Sequence, residues 1–310
     1  MIISLGEGLI DFISQNELSF SGYPGGSPYN SSIAIARLNV PVQYVGRISK
    51  DIFGDKLLSY LNENNVGTDL TIRTDDPTTL SFVQKQSDGS ASYAFFANDT
   101  ADKLWQAAEL DKLPLPEELK IIHFGSISLS QEPSGSVLTE FLIKRCSEYL
   151  LSFDPNIRPA LVSDRQLYME RFESICSICS IVKLSDEDLE WLYPGKEREE
   201  AVSSILGLGT ALVALTEGKE GGRLFTENVT VHSPLFDLPV ADTIGAGDTF
   251  HGALLAYLYK KGIFSKSQIL EMSEEELISL GDYANKAAGI NCSRNGANPP
   301  SESEMIEITL

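Results

Sequence analysis

Ala241-Asp242-Thr243-Ile244-Gly245-Ala246-Gly247-Asp248-Thr249-Phe250 is the stretch of this 310-residue sequence whose residue types and spacing most plainly support chemistry. Two glycines bracket an alanine, a carboxylate follows at once, and Phe250, Leu254, Leu255 and Leu258 then recur at helical spacing. Asp248 is therefore expected in the first turn of a helix. Unpaired backbone N–H groups at such a terminus bind anions, and glycines let that backbone approach closely. A carboxylate beside an anion cradle suits removal of a proton from a hydroxyl next to a phosphate. Phosphoryl transfer to an alcohol is the chemistry this implies. A plain helix start would use the same residues, because Asp is favourable near a helix N-terminus and glycines are common in turns.

Two other phosphate-binding devices are excluded by the spacing. A dinucleotide fingerprint needs a third glycine where Phe250 stands, and a P-loop needs Gly-Lys-Ser/Thr, whereas Gly247 precedes Asp and no lysine follows before Lys260. Gly6-Glu7-Gly8 begins like the same fingerprint but carries Asp11 in the third-glycine position, and Leu9–Ile13 reads as a strand rather than a helix. A dehydrogenase reading fails at both places. Asp11 instead lies where a core strand passes into a hairpin, able either to accept hydrogen bonds from sugar hydroxyls or to face solvent in a turn.

The elements that must position these residues follow from the rest of the chain. Short apolar runs at Ile2–Leu5, Val42–Val45, Lys120–Phe124, Leu150–Phe153, Ser180–Leu184 and Ala211–Leu215 alternate with helical patterns near 27–38, 51–64, 134–147, 164–174, 186–192 and 198–207. This alternation predicts an α/β fold, a mainly parallel sheet with helices on both faces and ligands at the carboxyl ends of the strands. Two regions break the pattern, 9–23 and 78–96. In the second, Ser87-Asp88-Gly89 separates two β-prone runs, a hairpin signal. Together they predict a small antiparallel sheet over the strand ends, with Phe96 or Phe82 as its apolar cover.

With 44 acidic against 24 basic residues the formal charge is −20, which argues against nucleic-acid and anionic-membrane partners. An anionic substrate must then be held by local devices. An apolar content of 42% supports a sizeable core, and the absence of a transmembrane-length run or basic leader predicts a cytoplasmic protein. Cys176 and Cys179 have C-x-x-C spacing without the second pair a zinc site needs, and their flanks suggest the edge of a buried strand. His123, His232 and His251 show no ligand spacing and are read as structural.

Near the start, Gly25-Gly26-Ser27-Pro28-Tyr29-Asn30 precedes a helix, with Pro28 acceptable in its first turn. The paired glycines here, Asp-Thr-x-Gly-Ala-Gly-Asp late in the chain and α/β alternation between them resemble the ribokinase/PfkB family of carbohydrate kinases. The resemblance runs from Gly6-Glu7 to Gly296-Ala297. It implies a ribokinase-like fold with a β lid formed by the two inserted segments, within a kinase domain spanning 1–310. It further implies Asp248 as catalytic base and the backbone of Gly245, Ala246 and Gly247 as anion hole. A helix N-terminus would lower the pKa of Asp248 and keep it ionised. Asp11, Gly25, Gly26 and Asn30 match sugar-binding positions. Thr216, Gly218 and Gly221 match the nucleotide loop, with Asn285 the polar candidate in the adenine wall. Asp242, Ile244 and Gly296 fall where relatives bind a monovalent cation, so ATP, Mg²⁺ and K⁺ are the implied co-substrate and ions.

Two segments depart from the family pattern. Where relatives have Asn-x-x-Glu, linked to Mg²⁺ and phosphate, this chain has Ser185-Asp186-Glu187-Asp188, leaving Asp188 or Glu187 as the carboxylate. Lys50 stands where relatives often have an acid. Asp154-Pro155-Asn156-Ile157-Arg158 resembles a segment of fructokinase-like and ketodeoxygluconate-kinase-like members, with Arg158 at the site edge. Fructose phosphorylated at its 6-hydroxyl is the expected reaction, 2-keto-3-deoxygluconate the alternative, and a non-catalytic sugar-binding regulator the alternative of another class. A lid with an open sheet face would also allow a homodimer.

Overall fold

The computed structural model describes residues 1–16, 18–85 and 91–309. Its core is an eight-stranded sheet. Six strands are parallel: β1 (Ile2–Leu5), β4 (Val42–Val45), β9 (Ile121–Gly125), β10 (Leu150–Asp154), β11 (Ile181–Ser185) and β12 (Leu212–Thr216). Two antiparallel strands that the apolar runs do not predict, β13 (Gly222–Phe225) and β14 (Thr230–Ser233), complete the order β14-β13-β12-β11-β10-β9-β1-β4.

Helices cover both faces because successive strand residues point to opposite sides. Ile2, Ile121, Leu150 and Ile181 pack beneath α1 (Ser27–Arg37), α2 (Ile52–Glu63), α8 (Ala246–Lys261), α9 (Lys266–Leu270), α10 (Glu274–Cys292) and α11 (Glu302–Glu307). Ile3, Ile122, Leu151 and Val182 pack on the other side beneath α3 (Ala107–Leu110), α4 (Ser134–Arg145), α5 (Arg165–Ile178), α6 (Asp186–Leu192) and α7 (Arg198–Leu208). Each such side chain contributes roughly 1.5–3 kcal/mol on burial. No described helix is long and apolar enough to cross a membrane.

One layer of the α8 side is polar. Ser152 of β10 contacts His251 of α8 at 2.6 Å, and His251 lies edge-on to His123 of β9, with ring centroids 4.3 Å apart. Histidines far apart in sequence thus form one buried pair, and burial holds both below their ordinary pKa. Cys176 is not at a strand edge. It lies in the last turn of α5, which runs past the expected end at 174, and Cys179 closes that helix. Both cysteines are free and buried, and burial raises both thiols.

Four further strands, β2 (Leu9–Asn16), β3 (Ser19–Gly25), β7 (Leu80–Lys85) and β8 (Ala91–Phe96), form a second sheet of order β3-β2-β7-β8. Both expected hairpin pairings are antiparallel, while β2 and β7, which join them, run parallel. Ser87-Asp88-Gly89 lies outside the described residues. A short parallel pair, β5 (Arg47–Ser49) and β6 (Ile72–Thr74), leads into α2. There Asp51 caps α2 and Lys50 pairs with Asp75 on the surface, so Lys50 occupies an exposed ion pair at the family departure.

Candidate active site

A cavity of about 480 Å³ lies between the second sheet and the carboxyl ends of the parallel strands. Its floor is the opening motif. Gly245 takes the left-handed conformation (φ 73°) at the cap of α8, which then begins at Ala246. Glycine adopts that conformation without strain, and an added Cβ here would also come within 2.6 Å of Ala297 Cβ. Gly245, Ala246, Gly247 and Asp248 all line the cavity, with Asp248 in the first helical turn as the sequence predicts.

Asp248 is held from a different part of the chain. Ser27 Oγ donates to its Oδ1 at 2.7 Å, and Asn30 Nδ2 donates to its Oδ2 at 2.9 Å. Both donors sit in the first turn of α1, which packs against α8. The expected lowering of its pKa is overturned. Burial raises the Asp248 carboxyl, Asn30 and Ser27 oppose that rise, and the nearby charge of Asp154 adds to it. Removal from water here outweighs the helix terminus.

Asp11 stands across the cavity in β2. Gly25, opposite Leu9 on the adjacent strand β3, is required by contact: an added Cβ would lie 2.2 Å from Asp11 Oδ2. Gly26 holds φ 108°, and a Cβ there would meet the Glu7 carbonyl at 2.6 Å. Burial raises the Asp11 carboxyl, while Ser81 and the positive charge of Arg158 lower it. Arg158 lines the same wall, its guanidinium near the carbonyls of Asn156 and Ile157. Asp11, Gly26, Asn30, Arg158 and Asp248, read from separate segments, thus meet in one cavity.

The residues expected to cover this cavity are not those that do. Leu9, Asp11 and Ile13 alternate with Phe12, and Ser81 and Val83 with Phe82, so each strand presents its odd-numbered residues inward. Ile13, Val83 and Phe95 line the cavity. Phe82 stacks on Phe12 at 5.0 Å and meets Phe20 and Phe96 on the outer face, where Phe96 is 63% exposed.

Of the other residues singled out in the sequence, Asp242 and Ile244 line the cavity, and the rest lie away from its wall. Thr216, Gly218 and Gly221 stand at the turn after β12, Gly218 with open space above its Cα. Asn285 is buried in α10 and donates to the carbonyl and hydroxyl of Ser233 at 3.0 and 2.8 Å. Asp188 and Ser185 form a capping box on α6: Ser185 N–H and Oγ donate to Asp188 Oδ2, while Ile157 N–H donates to Oδ1. Asp188 therefore secures the segment that carries Arg158. Asp242 joins the remaining pair, accepting from Ile244 N–H and Gly296 N–H, both at 3.3 Å.

Sequence reasoning missed Glu7, Ser27, Ser81 and Ser126, and it placed Asn156 and Lys183 at the ligand-binding strand ends without giving them a role; all six line the cavity. Lys183 is the most consequential. It is 4% exposed, pairs with Asp154 at 2.9 Å, and would meet a Cβ on Gly247 at 2.8 Å. A lysine inside an otherwise apolar strand, Ile181-Val182-Lys183-Leu184, was the available signal.

Comparison with known proteins covers nearly the whole chain. The profile described as "pfkB family carbohydrate kinase" matches residues 1–304. A fructokinase of Rhizobium leguminosarum bv. trifolii is 34% identical over 281 residues, covering 89% of this chain and 85% of the relative. Fructokinase-2 of Zea mays is 33% identical over 309 residues, covering 96% and 90%. Among solved structures, the fructokinase of Xylella fastidiosa with bound ATP superposes with a TM-score of 0.88 at 27% identity, covering 98% of this chain and 96% of that one.

Proposed function

This chain belongs to the pfkB family of carbohydrate kinases, and from that premise we propose that it transfers the γ-phosphate of ATP to the 6-hydroxyl of fructose. The observation that carries the proposal is the placement of Asp248 in one cavity with Asp11, Asn30 and Arg158 on one side and the Gly245–Gly247 turn on the other. In this reading Asp11, Asn30 and Arg158 hold the sugar, with Gly25 and Gly26 giving the backbone room to do so. Asp248 accepts the proton of the attacking hydroxyl, a contribution of about 10²–10⁴ in rate. The sugar oxygen bonds to the γ-phosphorus, the bond to the β–γ bridging oxygen breaks, and ADP leaves. N–H groups of Gly245, Ala246 and Gly247 face the charge that develops on the transferred phosphoryl, where fixed dipoles need no reorganisation. Lys183 adds a cation on the same side.

Fructose is favoured by the names of the relatives and by the charge of the wall. Arg158 acts on Asp11, so its positive charge is balanced, which suits a neutral sugar better than the carboxylate of 2-keto-3-deoxygluconate. The adenine side is assigned to the turn carrying Thr216, Gly218 and Gly221, at the end of β12. Among the described residues no group of three His, Cys, Asp or Glu side chains is placed to hold a metal. Mg²⁺ would neutralise charge on the phosphates of ATP, and Asp188 is the carboxylate proposed to hold it. Asp242, Ile244 and Gly296 are the proposed K⁺ site, because the Asp242 carboxylate already draws the other two backbones together. A cytoplasmic location accords with ATP as co-substrate and with four free cysteines.

A sugar panel with ATP and Mg²⁺, with and without K⁺, tests the proposal. Fructose turnover to the 6-phosphate is expected. An inert fructose beside reactive 2-keto-3-deoxygluconate would overturn the substrate, and silence across the panel would favour the non-catalytic alternative.

A further inference from the structure

Glu7 is a buried carboxylate that the transfer step does not use. It lies between β1 and β2, 1% exposed, at the back of the cavity. Its oxygens serve two segments. Oε1 accepts from Ser27 N–H at 3.1 Å, and Oε2 accepts from Ser128 N–H at 3.3 Å and from Ser128 Oγ.

The first contact answers a need of α1. That helix begins after Gly26, which has no side chain to cap it and cannot acquire one, because a Cβ would strike the Glu7 carbonyl. A carboxylate from another segment fills the place of the missing cap. The same Ser27 whose N–H is held by Glu7 gives its hydroxyl to Asp248. The second contact fixes the 126–129 turn, whose Ser126 and Ile127 form cavity wall.

We propose that Glu7 is a positioning residue, which holds Ser27 against Asp248 and the 126–129 turn against the sugar through one carboxylate. The proposal rests on the phosphotransfer reading above and deepens it. The groups facing Glu7 are Ser27 from α1, Ser126 and Ser128 from the turn, Tyr44 from β4 and Asp102. Burial pushes the Glu7 carboxyl up to about 7, against the lowering effect of Ser128 and Ser126. Below that value one oxygen carries a proton and accepts less well, so Ser27 loosens and Asp248 loses its alignment. Loss of alignment at a reacting group costs up to about 10²-fold in rate.

Two variants and one spectroscopic signal test this. In kcat/KM for the sugar against pH, wild type is expected to show an acid limb near 7. Glu7→Gln is expected to lose that limb and lower kcat by about tenfold, within the range that misplacement of a reacting group produces. Ser128→Ala is expected to move the limb to higher pH, because it removes a hydrogen bond that favours the charged form. The carbon-13 carboxyl resonance of Asp248 should respond as Glu7 titrates in wild type and not in Glu7→Gln. That signal needs no turnover, so a chain that phosphorylates no sugar would refute the functional reading while leaving the Glu7 test in force. Unchanged limbs in both variants, or an Asp248 resonance indifferent to Glu7, would overturn the inference.

Discussion

Lys183 of β11 and Asp154 of β10 face each other across adjacent strands, Nζ to Oδ2 at 2.9 Å, with both side chains at most 5% exposed. The pair lies directly behind the glycine turn, so the site rests on a buried ion pair rather than on apolar packing. His251, one helical turn beyond Asp248, brings Nδ1 to 3.7 Å from the same Asp154 oxygen.

Removing one partner should therefore cost more than removing both. Lys183→Met leaves Asp154 charged and buried, a loss of about 3–5 kcal/mol. Lys183→Met combined with Asp154→Leu should recover part of that loss. Chemical unfolding of the two single variants and the double variant checks it, and additive losses would refute the coupling.

The same pair sets an acid sensitivity. Burial raises the Asp154 carboxyl, but Lys183 and His251 more than offset this and hold it well below its ordinary 3.8. A lowered carboxyl contributes stability that is whole above its unfolded value and is lost as pH falls through the folded one. Wild type should lose stability below about pH 4 more steeply than Asp154→Asn, as read from thermal unfolding against pH.

Asp248→Asn should keep the fold and the sugar affinity while lowering kcat by about 10²–10⁴. The isosteric amide still fills the space beside Ser27 and Asn30 but takes no proton. Calorimetric sugar binding together with steady-state turnover separates the two effects. Wild-type turnover in this variant would remove Asp248 as the base.

Gly25→Ala should act on sugar binding. Its new methyl group meets the Asp11 carboxylate at 2.2 Å and must displace it, so KM for the sugar should rise by about tenfold, with kcat changing less. Equal loss in a sugar-independent assay such as ATP binding would point to general disruption instead.

Thiol labelling separates the two pairs of cysteines. Cys176 and Cys179 are buried, with raised thiols, while Cys146 and Cys292 are partly exposed. The native protein should label at no more than two positions and the unfolded protein at all four. Rapid native labelling of Cys176 would contradict its burial.

The sequence by itself determined the six parallel strands and the helices between them except the short α3, because strands buried on both faces read as continuous apolar runs. It also determined the order of the chemical motifs and the helical position of Asp248, since glycine turns and first-turn carboxylates are local signals. It could not show β13 and β14, which are short and antiparallel. The inner face of the lid was lost for a related reason: with a period of two, choosing Phe82 rather than Val83 reverses every side chain.

What only the tertiary structure decided are the meetings between distant residues. Ser27 and Asn30 reach Asp248 from more than two hundred residues away, and Glu7 reaches Ser128 across 121 residues. Lys183 and Asp154 become partners through strand register, and His123 and His251 through the packing of α8. The direction of the Asp248 shift depended on these meetings too. A helix terminus is visible in one segment, but the loss of water around a carboxylate is a property of everything packed against it.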